Sequence, residues 1–418
     1  MRGPASRSPV HEQRAGKQTV DEHALAKLIA ARRPGYALEQ AFYTDPDIYE
    51  RDIDKVYMNG WLYAGHETEI PEVGSYFLFN FASESVIIMR SDENEISALL
   101  NVCRHRGSRV CIEAQGKVSR LTCRYHGWTY GLQGKLRAAA YLDEAIDKST
   151  LGLRQIHLRR LHGLIFVNFA GQPGSFDLVE RDLSDCLAPY DLGRAKVAHR
   201  ASYLINANWK LAVENYCECY HCAPAHPEYS RGHGLATPGA EYDQEFAAVM
   251  ARSASCGLSD KTVRKHYLNS GEPGTDRCFE RYPMMRGHVT GSEDGRPVAP
   301  LLGSIKDFDG GATDFQIGPI TFALAYCDHV VIYRFTPLSI DRTDCDITWL
   351  VNANAQAGRD YDRDKLTWLW DVTTIADQHI IERNQEGVNS RFYEPGPFSK
   401  MEDYTQSFID WYVHTIAT

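Results

Sequence analysis

The sequence predicts an α+β chain in which a small antiparallel β domain precedes a larger antiparallel sheet covered by helices. Short runs rich in β-branched and aromatic residues, SYFLFNF, SVIIMR and EISALLNV, follow one another from Gly74, with the turn residues SDEN between the last two. Strand-like runs return as ITFALAYCDHVVIYRFTP and DCDITWLVN. The later stretch DKLTWLWDVTTIADQHIIERNQEG has helical spacing and is expected to pack across that second sheet. The 418 residues, 43% apolar and 24% charged, have ordinary globular composition and length for two or three domains. The expected division is a tail and helix over 1–45 packing on the larger domain, the small β domain over 46–160, and the larger domain over 161–418.

In chain order, MRGPASRSPVHEQRAGKQ lacks the apolar core of a secretory signal and reads as a disordered tail. Thr19 and Glu22 make a capping box for a helix with Leu25, Leu28 and Ile29 on its apolar face, which stops at Pro34-Gly35. A second helix follows Asp45-Pro46 and ends at Asn59-Gly60. After the small β domain, LIFVNFAG reads as a strand, FDLVERDLSDCLAPY as a short helix and KVAHRASYLIN as an alternating strand. Residues 229–315 are rich in Gly, Pro and polar residues, as binding loops or a disordered insertion would be. A net charge of −10 argues against a nucleic-acid partner, and no apolar run is long enough to span a bilayer. Eleven scattered cysteines, several beside histidines, fit a reducing compartment and metal ligation better than a disulfide framework. A cytoplasmic location is expected.

Two loops in the β domain carry Cys103-Arg-His105-Arg-Gly107 and Cys123-Arg-Tyr-His126-Gly127, a C-x-H-x17-C-x2-H spacing. A Cys₂His₂ set can hold zinc tetrahedrally, but zinc fingers keep cysteines together and histidines together. One of each per loop lets two cysteines bind one iron and two histidines the other, the Rieske [2Fe-2S] arrangement. The two glycines permit close backbone approach to inorganic sulfur. Cys111 falls outside the pattern and reads as a packed core thiol.

The segment NWKLAVENYCECYHCAPAHP, Asn208 to Pro227, places two acids and two histidines in what reads as a buried helix. Glu214, Glu218 and His221 fall on one stripe at i, i+4 and i+7. His226, five residues after His221, sits too far round an ideal helix for both rings to reach one point, so Pro224 is expected to kink or end the helix. Near the C-terminus Leu366, Trp370, Thr373, Asp377, Ile380 and Asn384 share one helix side. A carboxylate buried on such a face is expected to be neutralised, paired with a cation or bound to a metal. His221, His226 and Asp377 are therefore read as the two-histidine, one-carboxylate triad of non-haem Fe(II) oxygenases, while His379 points to another side of the helix.

These motifs, with Asn208-Trp-Lys, Glu214-Asn-Tyr-Cys-Glu218-Cys-Tyr-His221-Cys-Ala-Pro-Ala-His226-Pro and Asp377-x-x-Ile-Ile-Glu382-x-x-Gln385-x-Gly387, resemble the α-subunits of Rieske non-haem iron oxygenases over roughly residues 40 to 415. The resemblance implies that residues 46–160 form a Rieske domain and residues 161–418 a helix-grip catalytic domain, with O₂ as oxidant and a trimer of α-subunits. It further implies that Glu218, where the family usually has aspartate, bridges the two metal centres across a subunit boundary. One Glu218 oxygen would meet His221 and the other would stay free for His126 of the partner subunit. The Glu-Cys-Tyr-His-Cys version is similar to members acting on quaternary ammonium compounds, such as glycine betaine, stachydrine and carnitine monooxygenases. That similarity implies hydroxylation or N-demethylation of a quaternary or tertiary amine.

No Gly-rich dinucleotide fingerprint follows a strand, so NAD(P)H must be oxidised on a separate reductase. A zinc-stabilised binding protein leaves the mixed Cys/His loops unexplained, and a pure electron carrier leaves Asp377 and the central histidines unexplained. The alternative is mono- or dioxygenation of an aromatic carboxylate or related aromatic compound; a carboxylate would need a pocket arginine such as Arg252 or Arg286.

Overall fold

The computed structural model describes residues 22–234, 239–259, 263–264, 276–318 and 320–418; the Thr19 cap and the tail lie outside the described residues. Helix α1 (Glu22–Ala31) lies against the last helix, tied there by an ion pair between Arg32 and Asp410. After a single turn, α2 (Ala41–Thr44), helix α3 (Pro46–Asp52) begins where expected: Asp45 accepts from the Asp47 and Ile48 amides at 2.8 and 3.4 Å, and Pro46 takes the first position. A π-helical turn over Ile53–Tyr57 carries the chain to Gly60.

The small β region contains three antiparallel sheets. Strand β1 (Leu62–His66) pairs with the second strand of the later hairpin β9 (His157–Leu161) and β10 (Leu164–Asn168), in the order β1-β10-β9. Strands β2 (Ser75–Phe81), β3 (Glu84–Arg90), β4 (Ile96–Leu100) and β5 (Gln115–Lys117) form a sheet ordered β4-β3-β2-β5. Strands β6 (Leu121–Thr122), β7 (Thr129–Tyr130) and β8 (Leu136–Ala138) form the third. Ile87, Met89 and Leu99 pack with Cys103, Leu121, Cys123 and Trp128 into a core directly beneath the two Cys/His loops.

Helix α4 (Asp177–Leu187) leads into a seven-stranded antiparallel sheet ordered β11-β17-β16-β15-β14-β13-β12. Its strands are β11 (Ala195–Ile205), β12 (Val263–Arg264), β13 (Arg277–Pro283), β14 (Gly311–Ile317), β15 (Thr321–Ala325), β16 (His329–Ser339) and β17 (Arg342–Asn352). The central stretch forms three helices: α5 (Trp209–Tyr216), α6 (Cys222–Ala225) and α7 (Pro227–His233). Then come α8 (Ala240–Cys256), the long α9 (Arg363–Val388), whose cap Asp362 accepts from the Lys365 amide at 3.1 Å, and α10 (Asp403–Ala417).

Helix α9 packs across the sheet as expected, its Tyr203–Asp371 contact and the Gln378 amide bonded to the Leu204 carbonyl at 2.8 Å tying it to β11. Of its expected apolar side, Leu366, Trp370 and Thr373 are buried, while Asn384 is exposed. The expectation for 229–315 needs correcting: α8, β13 and β14 interrupt it, and among the described residues 284–310 is the one long irregular segment. Residues 235–238, and 260–275 apart from 263–264, lie outside the described residues.

Helix α5 is anchored at its start. Asn208 caps it, accepting from the Lys210 amide at 3.1 Å, and donates to the carbonyls of Tyr43 and Ile340 at 3.1 and 2.8 Å. Fully buried Lys210 pairs with fully buried Asp52, which also accepts from Trp209 Nε1 at 3.0 Å and from the Tyr412 hydroxyl at 2.7 Å. A buried ion pair is tolerated when its remaining hydrogen-bonding capacity is met in this way, and removing one partner costs about 3–5 kcal/mol. The knot fixes α5 against α3 and α10, and so fixes where the loop after it emerges.

Candidate metal centres and substrate cavity

The first centre is built from two loops of the same design. The Gly107 amide donates back to the Cys103 carbonyl at 2.9 Å, and the Gly127 amide to the Cys123 carbonyl at 3.0 Å. Both glycines have left-handed backbone, φ 76° and 70°, which a side chain would strain. The loops bring His105 Nδ1 and His126 Nδ1 to 3.2 Å, with the His105 ring stacked on Trp128. Cys103 and Cys123 are buried beneath the two exposed rings. Burial disfavours the Cys123 thiolate, but backbone amides of Tyr125 and His126 and the side chains of Cys103 and Ser108 outweigh it and draw its pKa below the ordinary thiol value. The Tyr130 hydroxyl lies 3.2 Å from Cys103 Sγ and accepts from the Arg104 amide at 3.1 Å. Two buried sulfurs and two facing Nδ1 atoms fit a Rieske cluster. Cys111, by contrast, is a core thiol pushed up by burial to about 11.

The second centre lies where α9 crosses the central stretch. Asp377 Oδ1 is 3.2 Å from His221 Nε2 and 3.0 Å from His226 Nε2. His379 is exposed on another side of α9. Burial works against charging either partner, yet hydrogen bonds between them prevail. The His221 imidazole, bonded to Asp377 and Glu218, rises to about 9, and Asp377, bonded to His221 and His226, falls below the usual carboxylate range. Asp377 Oδ1 thus lies within hydrogen-bond distance of both imidazole nitrogens, and two histidines with one carboxylate are a donor set that fits a mononuclear iron with further positions open.

The expected helical stripe through Glu214, Glu218 and His221 does not form. Helix α5 ends at Tyr216, so Glu218 and His221 lie on the connection to α6, and the turn that reorients His226 is its own backbone, φ −144° and ψ 77°, just before Pro227. Pro224 sits inside α6. Glu214 points elsewhere: it accepts from the Tyr43 hydroxyl at 3.0 Å, and burial pushes it up to about 8. Glu218 does reach His221, Oε1 lying 2.5 Å from Nδ1. Its other oxygen is not free as expected, because it accepts from the backbone amides of Tyr220 and His221. Cys219 and Cys222 form a disulfide, although the cysteine pattern favoured a reducing compartment and metal ligation over a disulfide framework.

A cavity of about 410 Å³ opens over Asp377. Its wall includes Tyr216, Tyr229, Tyr282, Tyr333 and Trp370, the acids Glu280 and Asp314, and, among the described residues, no Lys or Arg. Glu280 and Asp314 stand directly opposite each other across β13 and β14. Four buried groups on residues of this wall, the Tyr216 hydroxyl, His226 Nδ1, the Trp370 indole N–H and the Thr373 hydroxyl, have no hydrogen-bond partner among the described residues. Sequence reasoning missed Glu280 and Asp314; the only signal was one acid at the centre of each of the strands RCFERYP and GATDFQI. Neither arginine considered for a carboxylate lies on this wall: Arg252 donates to the Asp309 carbonyl at 2.9 Å, and Arg286 is exposed.

Fold and donor sets together define an iron-dependent oxygenase with a separate electron-transfer domain. Residues 192–418 match the ring hydroxylating alpha subunit (catalytic domain) family and residues 60–152 the Rieske [2Fe-2S] domain. The chain belongs to the Rieske ring-hydroxylating oxygenase α-subunit family, and its cofactors are a [2Fe-2S] cluster and a mononuclear non-haem iron. It is 36% identical to the glycine betaine monooxygenase oxygenase subunit of Chromohalobacter salexigens, covering 94% of this chain and 89% of that one. It is 31% identical to the carnitine monooxygenase oxygenase subunit of Escherichia coli K12, covering 88% of each. Among solved structures, a quaternary ammonium Rieske monooxygenase in complex with L-carnitine superposes with a TM-score of 0.67 at 21% identity, covering 96% of this chain and 99% of that one. Naphthalene 1,2-dioxygenase from Rhodococcus, bound to indole, also gives 0.67, at 19% identity, covering 95% of this chain and 98% of that one. Among the described residues no helix is long and apolar enough to cross a membrane.

Proposed function

We propose that this chain is the terminal oxygenase of a system that hydroxylates an N-methyl group of a small quaternary or tertiary amine. In this reading Cys103, His105, Cys123 and His126 hold the cluster, and His221, His226 and Asp377 hold the iron. The observation that carries the substrate class is the cavity wall over Asp377, aromatic and acidic. A trimethylammonium group gains about 0.5–2 kcal/mol from each well-placed aromatic face, and nearby carboxylates add attraction. The relatives named for glycine betaine and carnitine support the same class. An aromatic carboxylate would need a cation on that wall, which the described residues do not supply.

When bound, the iron supplies O₂ activation, using electrons passed one at a time from the cluster. The chain's residues prepare for this. With a metal bound, His221 would donate its Nδ1 proton to Glu218 and give its Nε2 lone pair to the metal, and Glu218 in turn is held by two backbone amides. Overall, one N-methyl amine, O₂, two electrons and two protons give an N-hydroxymethyl amine and water. The hydroxymethyl amine then releases formaldehyde. A separate NAD(P)H reductase provides the electrons. The active assembly is a homotrimer in which Glu218 of one subunit approaches His126 of the partner subunit. The division into a cluster domain over 46–160 and a catalytic domain over 161–418 belongs to the same reading, with the β9–β10 hairpin at the junction.

A panel of quaternary amines and aromatic acids, assayed with a surrogate reductase, tests this. Quaternary amines should stimulate O₂ uptake and release formaldehyde in step. Coupled product from aromatic acids alone would refute the amine reading.

A further inference from the structure

The Cys219–Cys222 disulfide spans His221, with Cα atoms 4.9 Å apart, and both residues line the cavity over Asp377. Cys222 is buried, and its sulfur also lies within 4.8 Å of a ring nitrogen of His221 and of His226. One sulfur therefore has two competing partners: the sulfur of Cys219, or a metal ion held by the two imidazoles. Neither cysteine has a part in the two-histidine, one-carboxylate set.

We propose that Cys219 and Cys222 are a redox gate on the ligand set of the mononuclear site. Closed as a disulfide, the pair leaves His221, His226 and Asp377 as the donors. Open as a dithiol, it presents Cys222 as a third donor beside His221 and His226, a set that captures zinc. The inference rests on reading the two histidines as metal ligands.

Closing the gate needs a peroxide and opening it a dithiol. Closing the gate oxidises two thiols, forms the S–S bond and passes two electrons and two protons to a peroxide, which becomes two waters. Opening it takes a dithiol reductant, which exchanges through a mixed disulfide and leaves as its own disulfide. Capture of zinc by the open form releases the Cys222 thiol proton as the S–Zn bond forms. The two donor sets favour different ions. A thiolate with two imidazoles suits zinc, whereas two imidazoles and one carboxylate with open positions suit non-haem iron. Placement supports the switch: Cys222 opens α6 immediately after His221, so breaking one S–S bond frees a sulfur already beside both imidazoles.

The test uses the full chain with its cluster intact and the mononuclear site emptied by mild chelation. One equivalent of zinc is added to protein reduced with a phosphine, which leaves no thiol in solution, and to protein oxidised with peroxide and desalted, with protein thiols counted by alkylation. X-ray absorption at the zinc edge then reads the ligands. The reduced protein should show a zinc–sulfur distance of about 2.3 Å, and the oxidised protein only nitrogen and oxygen at about 2.0–2.2 Å. Reduced Cys222→Ser should lack the sulfur, and reduced Cys219→Ser should keep it. Nitrogen and oxygen alone in the reduced wild type, or sulfur persisting in Cys222→Ser, would overturn the gate. Iron content of His221→Ala separates the two readings. Iron lost there while zinc sees no sulfur defeats the gate alone; iron retained there defeats the ligand reading and the gate with it.

Discussion

Glu218 Oε1 lies 2.5 Å from Nδ1 of His221, three residues on, although no helix joins them. The contact sits behind the ring, on the side away from Asp377, so the carboxylate orients the imidazole and leaves Nε2 toward the metal position. Glu218→Gln keeps an acceptor and a similar shape while removing the charge. Both metals should be retained, and single-turnover oxidation of the reduced cluster with substrate and O₂ should slow by about 10–100-fold. A wild-type rate would remove Glu218 from the electron route.

His105 and His126 present facing Nδ1 atoms at the exposed edge of the small β region, above two buried cysteines. Replacing His126 with Cys exchanges an imidazole for a thiolate on that edge, which lowers the reduction potential expected of a Rieske centre. The EPR spectrum of the reduced variant should change or vanish. An unchanged spectrum would take His126 out of the ligand set.

Glu214 is held protonated at neutral pH by burial, its pKa raised from 4.5 to about 8. The folded state therefore keeps a proton that the unfolded chain gives up. Its stabilisation is complete below about pH 4.5 and is lost as pH rises to about 8, with a slope of at most about 1.4 kcal/mol per pH unit. Glu214→Gln, uncharged at every pH, should flatten the fall in thermal midpoint between pH 5 and 8. An equal fall in the variant would show that Glu214 is not the group responsible.

Much of this site was legible because its chemistry is written in short range. The C-x-H and C-x2-H loops carry their own glycines, and the helical period of DKLTWLWDVTTIADQHIIERNQEG places Asp377 with Trp370 and Thr373. The path between Glu214 and His226 was not legible. Periodicity favoured a helix running through His221 to a break at Pro224, but hydrogen bonds from the Tyr220 and His221 amides to the Glu218 carboxylate stabilise a non-helical turn instead. The cavity wall was also out of reach, because Glu280 and Asp314 meet only through the register of β13 on β14. Helix α10 escaped notice as well, although its Tyr412 completes the hydrogen bonding of Asp52 beneath α5.

The central claim is that His221, His226 and Asp377 hold the iron at which the amine is oxygenated, and the iron content of Asp377→Ala tests it most directly. Asp377 Oδ1 contacts both imidazoles, so its loss removes the anionic donor and the hydrogen bonds that align the rings. The purified variant should contain one iron fewer per chain than the wild type, keep the Rieske EPR signal unchanged, and release no formaldehyde from any amine. Full iron content in Asp377→Ala would contradict the account.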